Sequence, residues 1–319
     1  MKQPIKIIFV GTPEFAVPYL GGLFKDTDFS VLAVVTQPDK LSGRKQLLTA
    51  SPVKLEALKH NIKVFQPEDL RNDEHVIEEI KQLNPDLLVV VAYGQIIPQS
   101  FLNLFPSGCI NVHPSLLPKY RGASPIQNTI LNGDAETGVT IMLMDEKMDH
   151  GPILTQSHHQ LNGTETNESL HNDLALAGVP LLINTIKDFL DQKIVAREQD
   201  HEQATFCRII KKEDGAIDFS DTALSIKNKI YAFYPWPATH GELDGKRIKF
   251  FPPVRIIEKQ AKPGEIFKIA NELAIGCLDK SLIIENWQPE GKKMMANGDF
   301  LRGRPEVISR FFTINSDNH

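Results

Sequence analysis

Residues 110–122 read INVHPSLLPKYRG and set a carboxamide, Asn111, and an imidazole, His113, at the end of a short apolar run. A carboxamide N–H can donate to an oxyanion developing on a carbonyl. An imidazole can do the same, or take a proton from an attacking amine. The pair is expected to need the strand to end and the chain to twist before both side chains face one reaction centre. A third polar group should orient or charge-balance the imidazole, and Asp149, in MDEKMDHGPIL at the end of the next strand candidate, is placed to do so. Asp145 and Glu146 read as surface residues of that strand end, and His158 and His159 as structural or exposed. An isolated Asn-x-His pair is commonplace at strand ends, so the surrounding sequence has to decide between site and structure.

The elements that position these residues follow from periodicity. Continuous apolar runs at 5–10, 31–36, 86–92 and 109–112 suit strands buried on both faces. Helical patterns lie between them (EFAVPYLGGLF, PVKLEALKH, DEHVIEEIKQL), which predicts an α/β, Rossmann-like, doubly wound, mostly parallel sheet. Strands at 138–144 and 152–160 and a long helix over 166–190 complete a domain spanning 1–192. Residues 193–208 are polar and aperiodic and read as a linker. Over 209–319, one helix and short strands separated by Gly, Pro and Asp turns predict a small β-barrel.

Several classes are disfavoured by what the chain lacks. FVGTPEF has one glycine where a dinucleotide fold needs G-x-G-x-x-G, and no acidic residue closes the second strand, so NAD is not expected. The three cysteines, Cys109, Cys207 and Cys277, are far apart, so neither a metal site nor a disulfide framework is expected. No run approaches the roughly 20 apolar residues of a membrane span, and a cytoplasmic protein without membrane contact is expected. The net charge of −5 hides an asymmetry. From Cys207 onward 18 basic residues face 15 acidic ones, against 17 and 25 in the rest, a hint of a polyanionic partner.

NVHPSLLPKYRGASPI followed by GVTIMLMDEKMDHGPIL resembles the folate-dependent formyltransferases. The resemblance implies Asn111, His113 and Asp149 as the catalytic set and 10-formyltetrahydrofolate as formyl donor. It places the folate over Ser115, Leu116, Leu117 and Pro118. Within the family, IIFVGTPEFAVPYL, TQPDKLSGRKQLLTASPVK, AFYPWPATH and GKKMMANGDFLRG are most similar to the tRNA-directed members. Their resemblance implies initiator methionyl-tRNA as acceptor, an OB-like C-terminal domain that binds it, and a monomer. Lys40, Arg44 and Lys45 in the 40–54 loop would contact the tRNA. Ile209 stands where a lysine is usual, with Arg208, Lys211 and Lys212 as possible substitutes. Formyltransferases acting on sugar nucleotides are the alternative.

Overall fold

The computed structural model describes residues 3–42 and 47–313, which fall into two compact units. The first comprises residues 1–125, 136–159 and 171–207, and the second 126–135, 160–170 and 208–319.

In the first unit β1 (Ile5–Gly11), α1 (Val17–Lys25) and β2 (Phe29–Val35) lead to a short hairpin of β3 (Lys40–Ser42) and β4 (Leu47–Thr49). Next come α2 (Pro52–Lys59), β5 (Lys63–Phe65), α3 (Glu74–Gln82), β6 (Leu87–Val91), α4 (Gln99–Leu102) and β7 (Cys109–His113). They are followed by β8 (Arg121–Gly122), α5 (Pro125–Leu131), β9 (Glu136–Leu143), β10 (Ile153–Gln160), α6 (Asn167–Leu190) and β11 (Phe206–Cys207), of which α5 from Ile126 and the start of α6 up to Leu170 belong to the second unit. Seven strands form one sheet in the order β10-β9-β7-β6-β1-β2-β5. The β7-β6-β1-β2-β5 pairings are parallel, and β9 runs antiparallel to β7. Every residue of β6 is buried, as a strand covered on both faces requires.

The Rossmann-like reading is correct, and the apolar runs became the central strands. β5 and the hairpin were not foreseen: KVF is too short to show a period, and the hairpin leucines are exposed. Most of the segment read as linker, up to Cys207, belongs to the first unit. Arg197 there exchanges backbone hydrogen bonds with Ile153, and β11 pairs with β8 in parallel.

In the second unit α7 (Ala223–Ala232) precedes β12 (Thr239–Leu243), β13 (Lys246–Ile257), β14 (Ile266–Ile269), β15 (Glu272–Gly276), β16 (Ser281–Pro289), β17 (Met295–Ala296) and α8 (Asn297–Gly303). The antiparallel order is β12-β13-β16-β15-β14, with β17 on β16. The register of β13 against β16 shifts between Phe251 and Val254, where Pro252 and Pro253 have no N–H to give the ladder. The chain near its C-terminus joins the two ends of this sheet: Ile266 N donates to Arg310 O, Phe312 N to Gly264 O, and Thr313 N to Glu242 O of β12. Phe219, Phe250, Trp287, Phe300 and Phe312 fill the interior with edge-to-face and tilted ring contacts.

Candidate active site

The carboxyl ends of parallel strands are where open α/β sheets gather ligands. β7 brings Asn111 and His113 to that rim. The expected twist is not needed, because residues two apart on a pleated strand share a face. The ladder to β9 runs without a break from Ile110↔Leu143 to His113↔Thr140.

Both side chains meet one carboxylate oxygen. Asn111 Nδ2 lies 3.4 Å from Asp149 Oδ1, and His113 Nδ1 lies 3.5 Å from the same atom. These are loose distances of the kind that tighten when a substrate fills a site. The trio is largely dry: the side chains of His113 and Asp149 are 5% and 12% exposed, so charge on them is poorly screened.

His113 and Asp149 are each held from behind by backbone. His113 Nε2 is 3.0 Å from Tyr120 O, a carbonyl that can only accept, so Nε2 carries a proton and Nδ1 faces the reaction side. The Tyr120 carbonyl behind the ring thus selects the tautomer. Asp149 Oδ2 accepts the backbone N–H of Gly122 at 2.8 Å. Gly122 itself has φ +113°, and a Cβ there would fall 2.3 Å from Cys207 O, so only glycine fits between β11 and the carboxylate. Cys207 is not a nucleophile candidate: burial, with the charge of Asp149 adding to it, pushes its thiol above the ordinary value.

The backbone of the Ser115–Pro118 segment is hydrogen-bonded to neighbouring strands and loops. Thr140 Oγ1 donates to Ser115 O at 2.6 Å and accepts from Leu117 N at 3.2 Å. Gln156 Nε2 donates to Leu117 O and to Thr140 Oγ1, both at 2.9 Å. Lys119 N bonds Leu116 O, and Thr205 N bonds Pro118 O. The carbonyls of residues 115–118 thus each have a protein donor, with one lone pair left. Ser115 and Leu117 are buried, Leu117 against Met142 and Ile153, whereas Leu116 and Pro118 are half-exposed. Thr140 and Gln156 were missed in sequence because polar residues on a strand carry no signal of their own.

Of the loop cations, Lys40 is in β3, exposed, with its amine on Gln37 Oε1. Arg44 and Lys45 lie outside the described residues. Ile209 is exposed, and the neighbouring Arg208 is engaged by Asp214, at 2.7 and 2.6 Å. That leaves Lys211 and Lys212 as the exposed amines of this stretch. Asp145 pairs with His150, Oδ2 to Nδ1 at 2.6 Å, and His158 pairs at the surface with Glu136. Among the described residues, no three metal-ligating side chains converge, and no helix is long and apolar enough to cross a membrane.

The chain is similar to known proteins over most of its length. Residues 5–186 match the family model described as formyl transferase, and 209–305 match the formyl transferase C-terminal domain. The methionyl-tRNA formyltransferase of Geotalea daltonii is 45% identical over 300 residues, covering 94% of this chain and 95% of its own. That of Caldanaerobacter subterraneus is 42% identical over 301 residues, covering 94% and 97%. Among solved structures, an N-formyltransferase from Helicobacter canadensis, in complex with folinic acid and dTDP-3-aminofucose, shares the fold at a TM-score of 0.66 and 20% identity, covering 89% of this chain and 99% of its own. The chain therefore belongs to the formyl transferase family, with methionyl-tRNA formyltransferases among its whole-length relatives.

Proposed function

We propose that the protein transfers the formyl group of 10-formyltetrahydrofolate to the α-amine of methionine on initiator methionyl-tRNA. The observation that carries the chemistry is the meeting of Asn111 Nδ2 and His113 Nδ1 on one oxygen of Asp149. The acceptor assignment is supported by the whole-length similarity to methionyl-tRNA formyltransferases.

The amine attacks the formyl carbon, and negative charge builds on the formyl oxygen. Asn111 spends one Nδ2 hydrogen on Asp149 and keeps the other for that oxygen; removing such a donor costs roughly 3 kcal/mol of barrier. The attacking nitrogen must shed a proton as its bond forms. Asp149 Oδ1 and His113 Nδ1 are the two acceptors facing the site, and a proton on either is shared across the 3.5 Å between them. Tyr120 O keeps the far side of the ring from turning inward. The donor substrate lies over the rigid 115–118 turn, touching half-exposed Leu116 and Pro118, with Ser115 and Leu117 fixing the turn from inside.

For the tRNA, Lys40, Arg44 and Lys45 of the 40–54 stretch contact the acceptor end, and the segment from Cys207 onward, with 18 basic against 15 acidic residues, adds sequence-independent phosphate contacts. The protein acts as a monomer in the cytoplasm, where its acceptor is. Labelled formyl donor offered with methionyl-tRNA and with an amino-sugar nucleotide decides the acceptor. Label on the tRNA is the expected result; label on the sugar alone would replace this reading with the sugar-nucleotide one.

A further inference from the structure

Asp149 has φ +52°, a left-handed conformation that a non-glycine residue adopts only when its surroundings impose it. The Gly122 N–H holds its side chain, but the twist of its backbone needs a separate cause. That cause comes from the stretch that reads as a linker in sequence. Gln199, 5% exposed, donates from Nε2 to Asp149 O at 3.0 Å and to Gly151 O at 2.7 Å. Its Oε1 accepts from Arg121 Nε at 3.1 Å and Nη2 at 2.7 Å. Both donors and both acceptor positions of the amide are therefore filled, and its orientation is unambiguous.

Arg121 is 4% exposed and forms no ion pair among the described residues. Besides Gln199 its guanidinium meets His201 Nδ1 at 2.9 Å, and the His201 ring stacks on His150 at 4.1 Å. A buried cation is normally neutralised by a carboxylate. Here the positive charge is instead kept one amide away from the loop that carries Asp149. The loop is pinned at its other end by Gly151, where a Cβ would fall 2.1 Å from Leu143 O.

We infer that Gln199 is a positioning residue for formyl transfer: oriented by buried Arg121, its amide locks the 149–151 backbone so that the Asp149 carboxylate meets Asn111 and His113. This rests on the reading that Asp149 is at the reaction centre. Gln199 touches neither the reacting atoms nor the trio's side chains, so it acts on the rate through Asp149 and not on substrate affinity.

Gln199→Glu tests this without unpairing Arg121. The variant keeps an oxygen for the guanidinium and replaces the two-hydrogen donor with an oxygen facing two carbonyls. The expected result is a kcat lower by about 10- to 100-fold, the scale of a small misplacement of a catalytic group, with both KM values within about threefold and a folded circular-dichroism spectrum. In an Asp149→Asn background the same change should lower the residual single-turnover rate by less than about threefold, since coupled residues are not additive. If Gln199→Glu does not fold, Gln199→Asn, which withdraws the amide by one methylene, carries the same expectations. Wild-type kcat in the folded variant, or an undiminished loss in the Asp149→Asn background, would overturn the inference while the catalytic assignment stands. Wild-type kcat in Asp149→Asn alone would remove both, and is read separately from the first variant.

Discussion

Gly122→Ala is the perturbation that most sharply separates the scaffold of this site from its chemistry. At φ +113° an alanine carries a backbone cost of about 1–3 kcal/mol. Its Cβ would also sit 2.3 Å from Cys207 O, a backbone atom that cannot swing aside. β8 must then move off β11, straining the bonds from Arg121 N to Thr205 O at 2.8 Å and from Ala123 N to Cys207 O at 3.2 Å. Each such bond contributes about 1 kcal/mol net, so the whole change should cost about 3–5 kcal/mol of stability. The same movement withdraws the Gly122 N–H from Asp149 Oδ2. A hydrogen bond to a charged group contributes about 1.5–3 kcal/mol, which converts to a loss of about 10- to 100-fold in the formylation step. Urea unfolding measures the first quantity and single-turnover formyl transfer, under conditions where the variant is folded, the second. A variant that loses stability yet keeps the wild-type rate would refute the claim that this amide holds the carboxylate in place.

Two further outcomes follow from the packing. Thr140→Val removes the acceptor of buried Leu117 N and the donor to Ser115 O, while Gln156 Nε2 keeps Leu117 O, and leaving that buried N–H unpaired should cost about 1–3 kcal/mol; urea unfolding should show that loss, and steady-state kinetics a raised KM for the formyl donor. In the second unit, burial and then repulsion from Arg247, Lys249, Lys229 and Lys212 push His240 from 6.5 down to about 4. The unfolded chain takes up the proton first, so the stability this neutral imidazole confers is full above pH 6.5 and is lost as the pH falls towards 4. Allowing for solvent screening of a half-buried ring, the loss is about 2 kcal/mol, and His240→Asn should flatten the acid limb of an unfolding-versus-pH curve over that window.

The parts of this molecule legible in sequence are those with a side-chain signature. The doubly buried strands announce themselves as unbroken apolar runs, and Asn111, His113 and Asp149 stand out through the motifs around them. What could not be read is mostly backbone. Tyr120 O and Gly122 N, which orient the imidazole and the carboxylate, belong to residues whose side chains say nothing of that task. The β8–β11 pairing joins residues 85 apart in the chain, and its strands are two residues long, below any period. Gln199 sits in a polar stretch whose composition is that of a linker, because the stretch binds through amides and carbonyls and not through an apolar face. The joining of the C-terminal sheet by 310–313 is likewise a backbone event, invisible to residue type. The one geometric expectation that failed, the twist at the end of β7, came from misreading the strand's period of two: Asn111 and His113 already share a face.

The most direct test of the account is single-turnover formyl transfer to methionyl-tRNA by Asn111→Ala and His113→Ala, run beside a tRNA-binding titration on the same preparations. Loss of one oxyanion donor predicts a rate lower by about 10²–10³ for Asn111→Ala. A comparable loss is expected for His113→Ala, with tRNA affinity unchanged in both. Turnover at the wild-type rate in either folded variant would contradict the assignment of the reaction to the three side chains that meet at Asp149.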